Sequence, residues 1–218
     1  MGRGSGGTRR SNGTAHSEHN FSVNKMTQSG YDSYGGGKEG KTIQGYIAEG
    51  KGFAGKPTLV SSSEFEKLKK DDNYIVMYRG FRKDEDKNIR DFKTGDYYSG
   101  HGGAGEGMYF SPTPLTSFSQ TGRFVEGALD KRKAKIGEYS TLYPQWQKER
   151  TSHLQSFSYT KYSKLKTDKE RADFEFRNKA YDDFGRWATM KGYDAVHSDL
   201  AGADEYVVYN RTKLKVKR

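Results

Sequence analysis

Glycine is distributed unevenly along this chain, and its distribution limits which residues can build a folded core. Residues 1–56 hold 14 of the 27 glycines, separated by Ser, Asn and Thr with few aliphatic residues between them. Such a segment buries too little apolar surface to offset the backbone entropy lost on ordering. We therefore predict that residues 1–56 form a flexible, basic, Gly/Ser-rich arm and that residues 57–218 form one folded domain. The alternative is an arm that wraps a partner surface through its scattered aromatic and isoleucine side chains, which are Tyr31, Tyr34, Ile43, Tyr46, Ile47 and Phe53.

The composition of the whole chain sets the kind of core that is available. Hydrophobic residues make up 32% and the mean hydropathy is -1.04, so 16 Tyr and 12 Phe must supply much of the core volume. No run approaches the roughly 20 apolar residues that span a bilayer, and the first ten residues lack the apolar segment of a secretory signal. The absence of cysteine excludes disulfides, thiolate metal ligands and a cysteine nucleophile. We expect a monomer in a host cytoplasm, or in a virion if a phage encodes it, with no membrane contact.

The net charge of +10 leaves two interpretations open. A basic surface attracts polyanions because each neutralised phosphate releases counterions, which favours a nucleic-acid partner. The same charge spread over solvated faces serves solubility alone. Charge by itself therefore does not decide the function.

Capping boxes mark the start of two predicted helices. Ser61-x-x-Glu64 and Ser63-x-x-Glu66 both have the spacing of a capping box at the start of a short helix, and Thr167-x-x-Glu170 opens a longer one. Apolar residues recur every three or four positions along the longer helix, which is predicted to continue until Gly192 ends it.

Short β-rich runs predict strands on both sides of the longer helix. Residues Lys83–Gly107 are polar and glycine-rich, and we predict that they form a loop. The strands do not alternate strictly with helices, so the pattern predicts an α+β fold with mainly antiparallel pairing rather than a parallel sheet. The predicted strands are residues 74–78, 108–110, 123–129, 194–196, 205–209 and 214–216.

Several common catalytic motifs are absent or lie in the wrong context. Residues 100–105 satisfy G-x-G-x-x-G, but a strand-like run and Pro112 follow where a dinucleotide-binding motif needs a helix. No GK[ST] follows residues 100–105, so that segment is not a P-loop, and no G-x-S-x-G elbow of a hydrolase occurs. The five histidines are scattered without metal-ligand spacing, so we expect no metal site.

Three segments occur in an order that points to one kind of site. They are residues 78–80 (YRG), 105–111 (GEGMYFS) and 204–209 (DEYVVY). Together they resemble the ADP-ribosyltransferase superfamily over roughly residues 58 to 216, with the arm outside the likeness. The second and third segments resemble the poly(ADP-ribose) polymerase branch, and phage head-associated and bacterial toxin members are also similar. In the polymerase branch a His precedes the first glycine, whereas Arg79 stands there in this chain, as in the arginine-bearing toxin branch.

The resemblance implies a split β-sandwich with flanking helices that uses NAD as its substrate. Glu205 would be the catalytic carboxylate, which accepts a hydrogen bond from the ribose 2′-OH and stabilises the developing oxocarbenium charge. Arg79 would form a bidentate contact with the pyrophosphate or hydrogen-bond the adenosine ribose. Gly80 would offer its backbone N–H and C=O to the carboxamide, and Tyr109 would stack on the nicotinamide ring or shape its wall.

The resemblance leaves two serines as candidates for the nicotinamide contact. Ser117 lies eight residues after the motif tyrosine, as the carboxamide-binding serine does in the polymerase branch. Ser111 corresponds to the strand serine that holds the site together in the toxin branch. Both positions remain open.

One departure bears on the acceptor. Arginine-modifying members carry a second Glu or Gln two residues before the catalytic Glu, where this chain has Ala203. The resemblance thus implies mono-ADP-ribosyl transfer to an unidentified protein or nucleic-acid acceptor, by a phage or toxin effector, rather than arginine modification. The alternatives are an NAD glycohydrolase, and a non-catalytic basic nucleic-acid-binding or virion protein with a degenerate pocket. A tRNA 2′-phosphotransferase shares the fold, but its catalytic residues have no assignable counterparts in this chain.

Overall fold

The computed structural model describes residues 43–81, 86–95, 100–114, 123–156, 161, 163–202 and 204–218. The helices assigned within these residues are α1 (Ile43–Gly50), α2 (Ser62–Leu68), α3 (Asp86–Thr94), α4 (Tyr139–Ser156), α5 (Asp168–Tyr181) and α6 (Phe184–Met190). The strands are β1 (Thr58–Val60), β2 (Tyr74–Phe81), β3 (Gly100–Gly102), β4 (Gly105–Phe110), β5 (Arg123–Asp130), β6 (Ile136–Glu138), β7 (Ala195–Ser198), β8 (Glu205–Val208) and β9 (Leu214–Lys217).

The strands form two sheets. The first sheet has the order β1-β9-β5-β2, and the second sheet has the order β3-β4-β8-β7-β6. The pairs β1–β9 and β6–β7 are parallel, and the other paired strands are antiparallel. The predicted α+β class with short, mainly antiparallel strands is therefore confirmed.

Two main clusters of buried side chains hold these layers together. One joins residues of β2, β5 and β9 to residues of β4, β7 and β8, and so fills the space between the two sheets. The other packs α4 and α6 against the opposite face of the second sheet. Aromatic side chains supply much of this volume, and Phe65, Phe92, Phe110, Trp187 and Tyr209 are fully buried.

Local hydrogen bonds account for the helix starts that the sequence predicts. The Ser61 side chain accepts from the backbone N–H of Glu64, whose carboxylate accepts in turn from the Ser61 N–H. Thr167 and Glu170 make the same reciprocal pair at the start of α5. The capping boxes of Ser61 with Glu64 and of Thr167 with Glu170 are confirmed, whereas Ser63 lies within α2 and does not cap it.

Two element predictions were wrong. The predicted loop Lys83–Gly107 contains α3, β3 and the start of β4, because Phe92 buries itself between the sheets and orders an otherwise polar helix. The predicted single helix up to Gly192 is divided into α5 and α6, since Asp183 adopts an extended conformation and caps α6 through the N–H of Arg186.

The folded region also begins earlier than residue 57. Helix α1 packs against α5 and α6, with Ile43, Ile47 and Ala48 buried. The Gln44 Nε2 donates to Thr189 Oγ1 at 2.6 Å. Residues 43–56 therefore belong to the domain rather than to the predicted arm, and Ile43 and Ile47 pack on the chain's own helices. Residues 1–42 lie outside the described residues.

Within the described ranges, no helix combines the length and the apolar character that crossing a bilayer requires.

Candidate active site

An isolated antiparallel bridge, made of two backbone hydrogen bonds, joins the end of β4 to β2. The Tyr78 N–H donates to the Ser111 carbonyl at 2.7 Å, and the Ser111 N–H donates to the Tyr78 carbonyl at 2.9 Å. On the far side of this contact β2 continues to Phe81 as a partner of β5, while β4 pairs with β8. β2 and β4 thus diverge into different sheets beyond this contact, and we call the region between their diverging ends the cleft.

The backbone of Gly80 faces this cleft. Tyr78 directs both its N–H and its C=O at Ser111, and the polar groups of a strand alternate sides from one residue to the next. Gly80 therefore directs its N–H and C=O to the same side as Tyr78, away from β5. Arg79 and Gly80 lie within β2, which runs to Phe81 rather than ending before them as predicted.

The Arg79 side chain reaches across to β3. It is 9% exposed, and its guanidinium lies over the rings of Phe81 and Phe92, at 5.4 and 5.9 Å from their centroids. A Cβ added to Gly100 would lie 3.6 Å from Arg79 Nη2 and 3.9 Å from Tyr109 Cδ2. The sequence-predicted Arg79 and Tyr109 therefore both lie close to Gly100.

Tyr109 lies flat on the glycine-rich hairpin of β3 and β4. Its hydroxyl donates to the Gly105 carbonyl, and a Cβ on Gly102 would be only 2.6 Å from its Cζ. Burial, together with the negative charges of Asp183 and Glu205, raises the pKa of Tyr109 well above its usual range. Tyr109 is therefore neutral near pH 7 and forms one wall of the site.

Glu205 begins β8 and lies on the same face of the second sheet as Tyr109. It pairs with Ser198 of β7, and continuing the Tyr109–Val207 register places Ser111 opposite it on β4. The carboxylate is half-buried, and this burial raises its pKa. It makes no hydrogen bond or ion pair with the residues that the structure describes, so its charge is available to a ligand.

The two serine candidates differ in what the structure describes of them. Ser111 is 2% exposed, and its Oγ donates to the Thr113 carbonyl at 2.9 Å while accepting from the Thr113 N–H at 3.2 Å. These two hydrogen bonds stabilise the turn that follows β4, so Ser111 has a structural role there. Ser117 lies outside the described residues, as does Ala203.

Glycines allow α6 to approach β4 closely behind the site. A Cβ on Gly185 would lie 2.0 Å from the Glu106 carbonyl oxygen, and Gly105 adopts a φ of 83° beside Gly185. Asp183 Oδ1 accepts from the backbone N–H groups of Glu106 and Arg186 at 2.9 and 3.0 Å. This contact fixes the strand that carries Tyr109.

Comparisons with known proteins were made with the whole chain. No protein-family model, curated protein or solved structure matches it. The assignment of a function therefore rests on the residues in the cleft.

Several residues around the cleft escaped the sequence analysis. Phe92 supports Arg79 from a helix that was predicted as loop, and Asp183 was taken as part of a continuous helix. Glu138, His197 and Asp204 form a hydrogen-bonded group beside Glu205. The Asp183 cap had a local signal, the Asp182–Asp183 pair, whereas the other contacts join distant parts of the chain. Among the described residues, no group of three or more His, Asp or Glu side chains is placed to hold a metal ion.

Proposed function

We propose that this chain is an NAD-dependent mono-ADP-ribosyltransferase with an ADP-ribosyltransferase-like fold. The observation that carries the proposal is Glu205, a half-buried carboxylate without a protein partner in the described ranges, on the same face as Tyr109. A carboxylate in such a place stabilises a cation that develops on a bound substrate.

The groups of the cleft match the parts of NAD+. The N–H and C=O of Gly80 point into the gap between β2 and β4, where a carboxamide can accept from one and donate to the other. Tyr109 offers a neutral aromatic wall for the nicotinamide ring. Arg79 supplies the cation for the pyrophosphate or the adenosine ribose.

The proposed reaction breaks the bond between the ribose C1′ and the nicotinamide nitrogen. The electron pair of that bond leaves with the nicotinamide, which departs as a neutral molecule, and the ribose becomes oxocarbenium-like. Glu205 accepts a hydrogen bond from the ribose 2′-OH and stabilises this charge. A nucleophile of the acceptor then bonds to C1′ and loses its proton. We propose a protein or nucleic-acid acceptor, and the basic charge of the chain is compatible with a nucleic acid because it attracts polyanions.

The test of this proposal is nicotinamide release by the wild-type chain and by Glu205→Gln. The amide keeps the size of the side chain but loses the charge, so release should fall by at least about 100-fold while NAD+ affinity changes little. Arg79→Ala should instead mainly raise KM, because a contact with the pyrophosphate acts on substrate and transition state alike. Glu66→Gln, on exposed helix α2, is the matched control.

Intact-mass analysis after incubation with labelled NAD+ identifies the acceptor. Label on protein or RNA supports transfer. Free ADP-ribose as the sole product would contradict transfer and support the NAD glycohydrolase alternative. Near-normal turnover by folded Glu205→Gln would contradict the catalytic role of Glu205. The non-catalytic alternative would then be favoured.

A further inference from the structure

His197 of β7 lies between two carboxylates at the surface. Its Nδ1 is 2.9 Å from Glu138 Oε2, and its Nε2 is 2.8 Å from Asp204 Oδ1. Its ring stacks on Tyr206, with 4.8 Å between the ring centroids. Both ring nitrogens are therefore engaged, which leaves neither of them free to act on a substrate.

This arrangement flanks Glu205 along the chain. Asp204 precedes Glu205 and Tyr206 follows it, so His197 contacts both of its neighbours, from the face of the second sheet opposite to the Glu205 side chain. Ser198, the residue after His197, pairs directly with Glu205. Glu138 is the last residue of β6 and leads directly into α4, which gives the bridge a fixed second end.

We propose that His197, as an imidazolium, is a positioning residue that holds Glu205 in place by bridging Glu138 to Asp204. The inference rests on the proposed role of Glu205. An imidazolium donates from both nitrogens, whereas a neutral imidazole donates from one and turns a lone pair towards the other carboxylate. Loss of the proton therefore breaks one end of the bridge.

The charges around His197 keep it protonated to a higher pH than usual. Partial burial lowers the pKa of His197, but the hydrogen bonds and charges of Asp204 and Glu138 outweigh it, and the pKa lies above its ordinary value of 6.5. The titratable groups that face the ring are Glu138 from the end of β6, Asp204 before β8, and Tyr206 on β8. The bridge should open as the pH rises through the pKa of His197.

The first arm of the test is the pH profile of kcat for nicotinamide release. The wild-type kcat should fall on the alkaline side as His197 loses its proton. His197→Ala should lower kcat roughly 10- to 100-fold near neutral pH, leave KM nearly unchanged and lack this alkaline step, because small misplacements of a catalytic group have effects of this size. His153→Ala is the matched control, since His153 lies on α4 and stacks on Tyr181.

Asp204→Asn distinguishes positioning from a merely structural role. An asparagine amide accepts from an imidazolium and donates to a neutral imidazole, so the bridge survives both protonation states. The alkaline step of kcat should therefore disappear in this variant. Unchanged kcat and an unchanged alkaline step in folded His197→Ala, or a persisting step in Asp204→Asn, would overturn the inference.

An NMR titration separates this inference from the proposed function. The imidazole C–H signals of wild-type His197 should titrate with a midpoint above 6.5, and the backbone amide of Glu205 should shift with the same midpoint. If the wild-type chain releases no nicotinamide, the proposed function fails, while a shared midpoint still supports the bridge. A Glu205 amide that ignores the titration of His197 contradicts the bridge, even in an active enzyme.

Discussion

The carboxylate of Glu205 destabilises the folded chain. It is half-buried and has no partner among the described residues, so burial penalises its charged form and raises its pKa. This negative charge has no partner among the described residues, so it can interact with a positive charge on a ligand. Such a compromise between stability and activity is typical of catalytic positions.

Glu205→Gln should therefore raise the thermal stability at pH 7. We expect a rise in Tm of a few degrees at most, since about 1 kcal/mol moves the Tm of a chain of this size by about 2–4 °C. The folded-state pKa lies above the unfolded one, so the charge destabilises at neutral pH and the penalty disappears once Glu205 is protonated. The gain should shrink as the pH falls through the raised pKa towards 4.5, as followed by calorimetry. A gain that persists at low pH would contradict the desolvation argument, and Glu66→Gln is the control.

At the scale of the elements, α1 extends the domain beyond the boundary expected from composition. Its Ile43 and Ile47 side chains are buried, and Gln44 reaches Thr189 on α6. Helix α6 in turn packs against β4, the strand of Tyr109. Through these contacts α1 supports one wall of the cleft from behind.

Removing residues 1–42 and removing residues 1–56 should thus have different effects. The shorter deletion should retain nicotinamide release and stability, because residues 1–42 are poor in aliphatic side chains. The longer deletion should lower the free energy of unfolding by at least about 4 kcal/mol, since each buried isoleucine contributes roughly 2–5 kcal/mol. Denaturant unfolding of both truncated chains measures the difference. Equal stability of the two would mean that α1 is dispensable.

Elements with a local signal were predictable from the sequence, and elements that depend on distant contacts were not. Ser61 with Glu64 and Thr167 with Glu170 fix helix starts through bonds three residues apart. Helix α3 has little local signal, because its sequence DKNIRDFKT is polar and its order depends on burying Phe92 between two sheets.

The same distinction applies to the site. Tyr109 and Glu205 lie on strands whose apolar patterns are visible in the sequence. The fit of Tyr109 on Gly102 needs the hairpin of β3 and β4, and β3 was predicted as loop. The bridge from His197 to Glu138 spans 59 residues and has no local pattern. Side-chain partners at such separations emerge only when the sheets are assembled.

At the scale of the whole molecule, Arg211 connects segments that are far apart in sequence. It is 1% exposed and lies between β8 and β9. Its guanidinium donates to the carbonyls of Ala54 and Gly55 and to carbonyls at the C-terminal end of α3. One side chain thus ties the segment after α1 to the helix that supports Arg79.

Arg211→Lys should lower the stability of the whole domain. An ammonium has three donors and cannot reproduce the planar geometry of the guanidinium, so several buried carbonyls lose their partners. We expect the free energy of unfolding to fall by at least about 2 kcal/mol, because a buried polar group without a partner costs roughly 1–3 kcal/mol. Chemical denaturation measures this change. Arg90→Lys, at an exposed position of α3, is the control, and an equal effect of both variants would contradict the role of Arg211.

The position of β9 has a consequence for the order of events during synthesis. β9 lies between β1 and β5 inside the first sheet, so β1 has no partner in that sheet until residues 214–217 have left the ribosome. Until then the first sheet is incomplete, and the apolar side chains that pack on β9 stay exposed. Chaperones and proteases recognise such a state. A nascent chain that stalls before β9 should therefore be degraded rather than accumulate as a partly folded fragment.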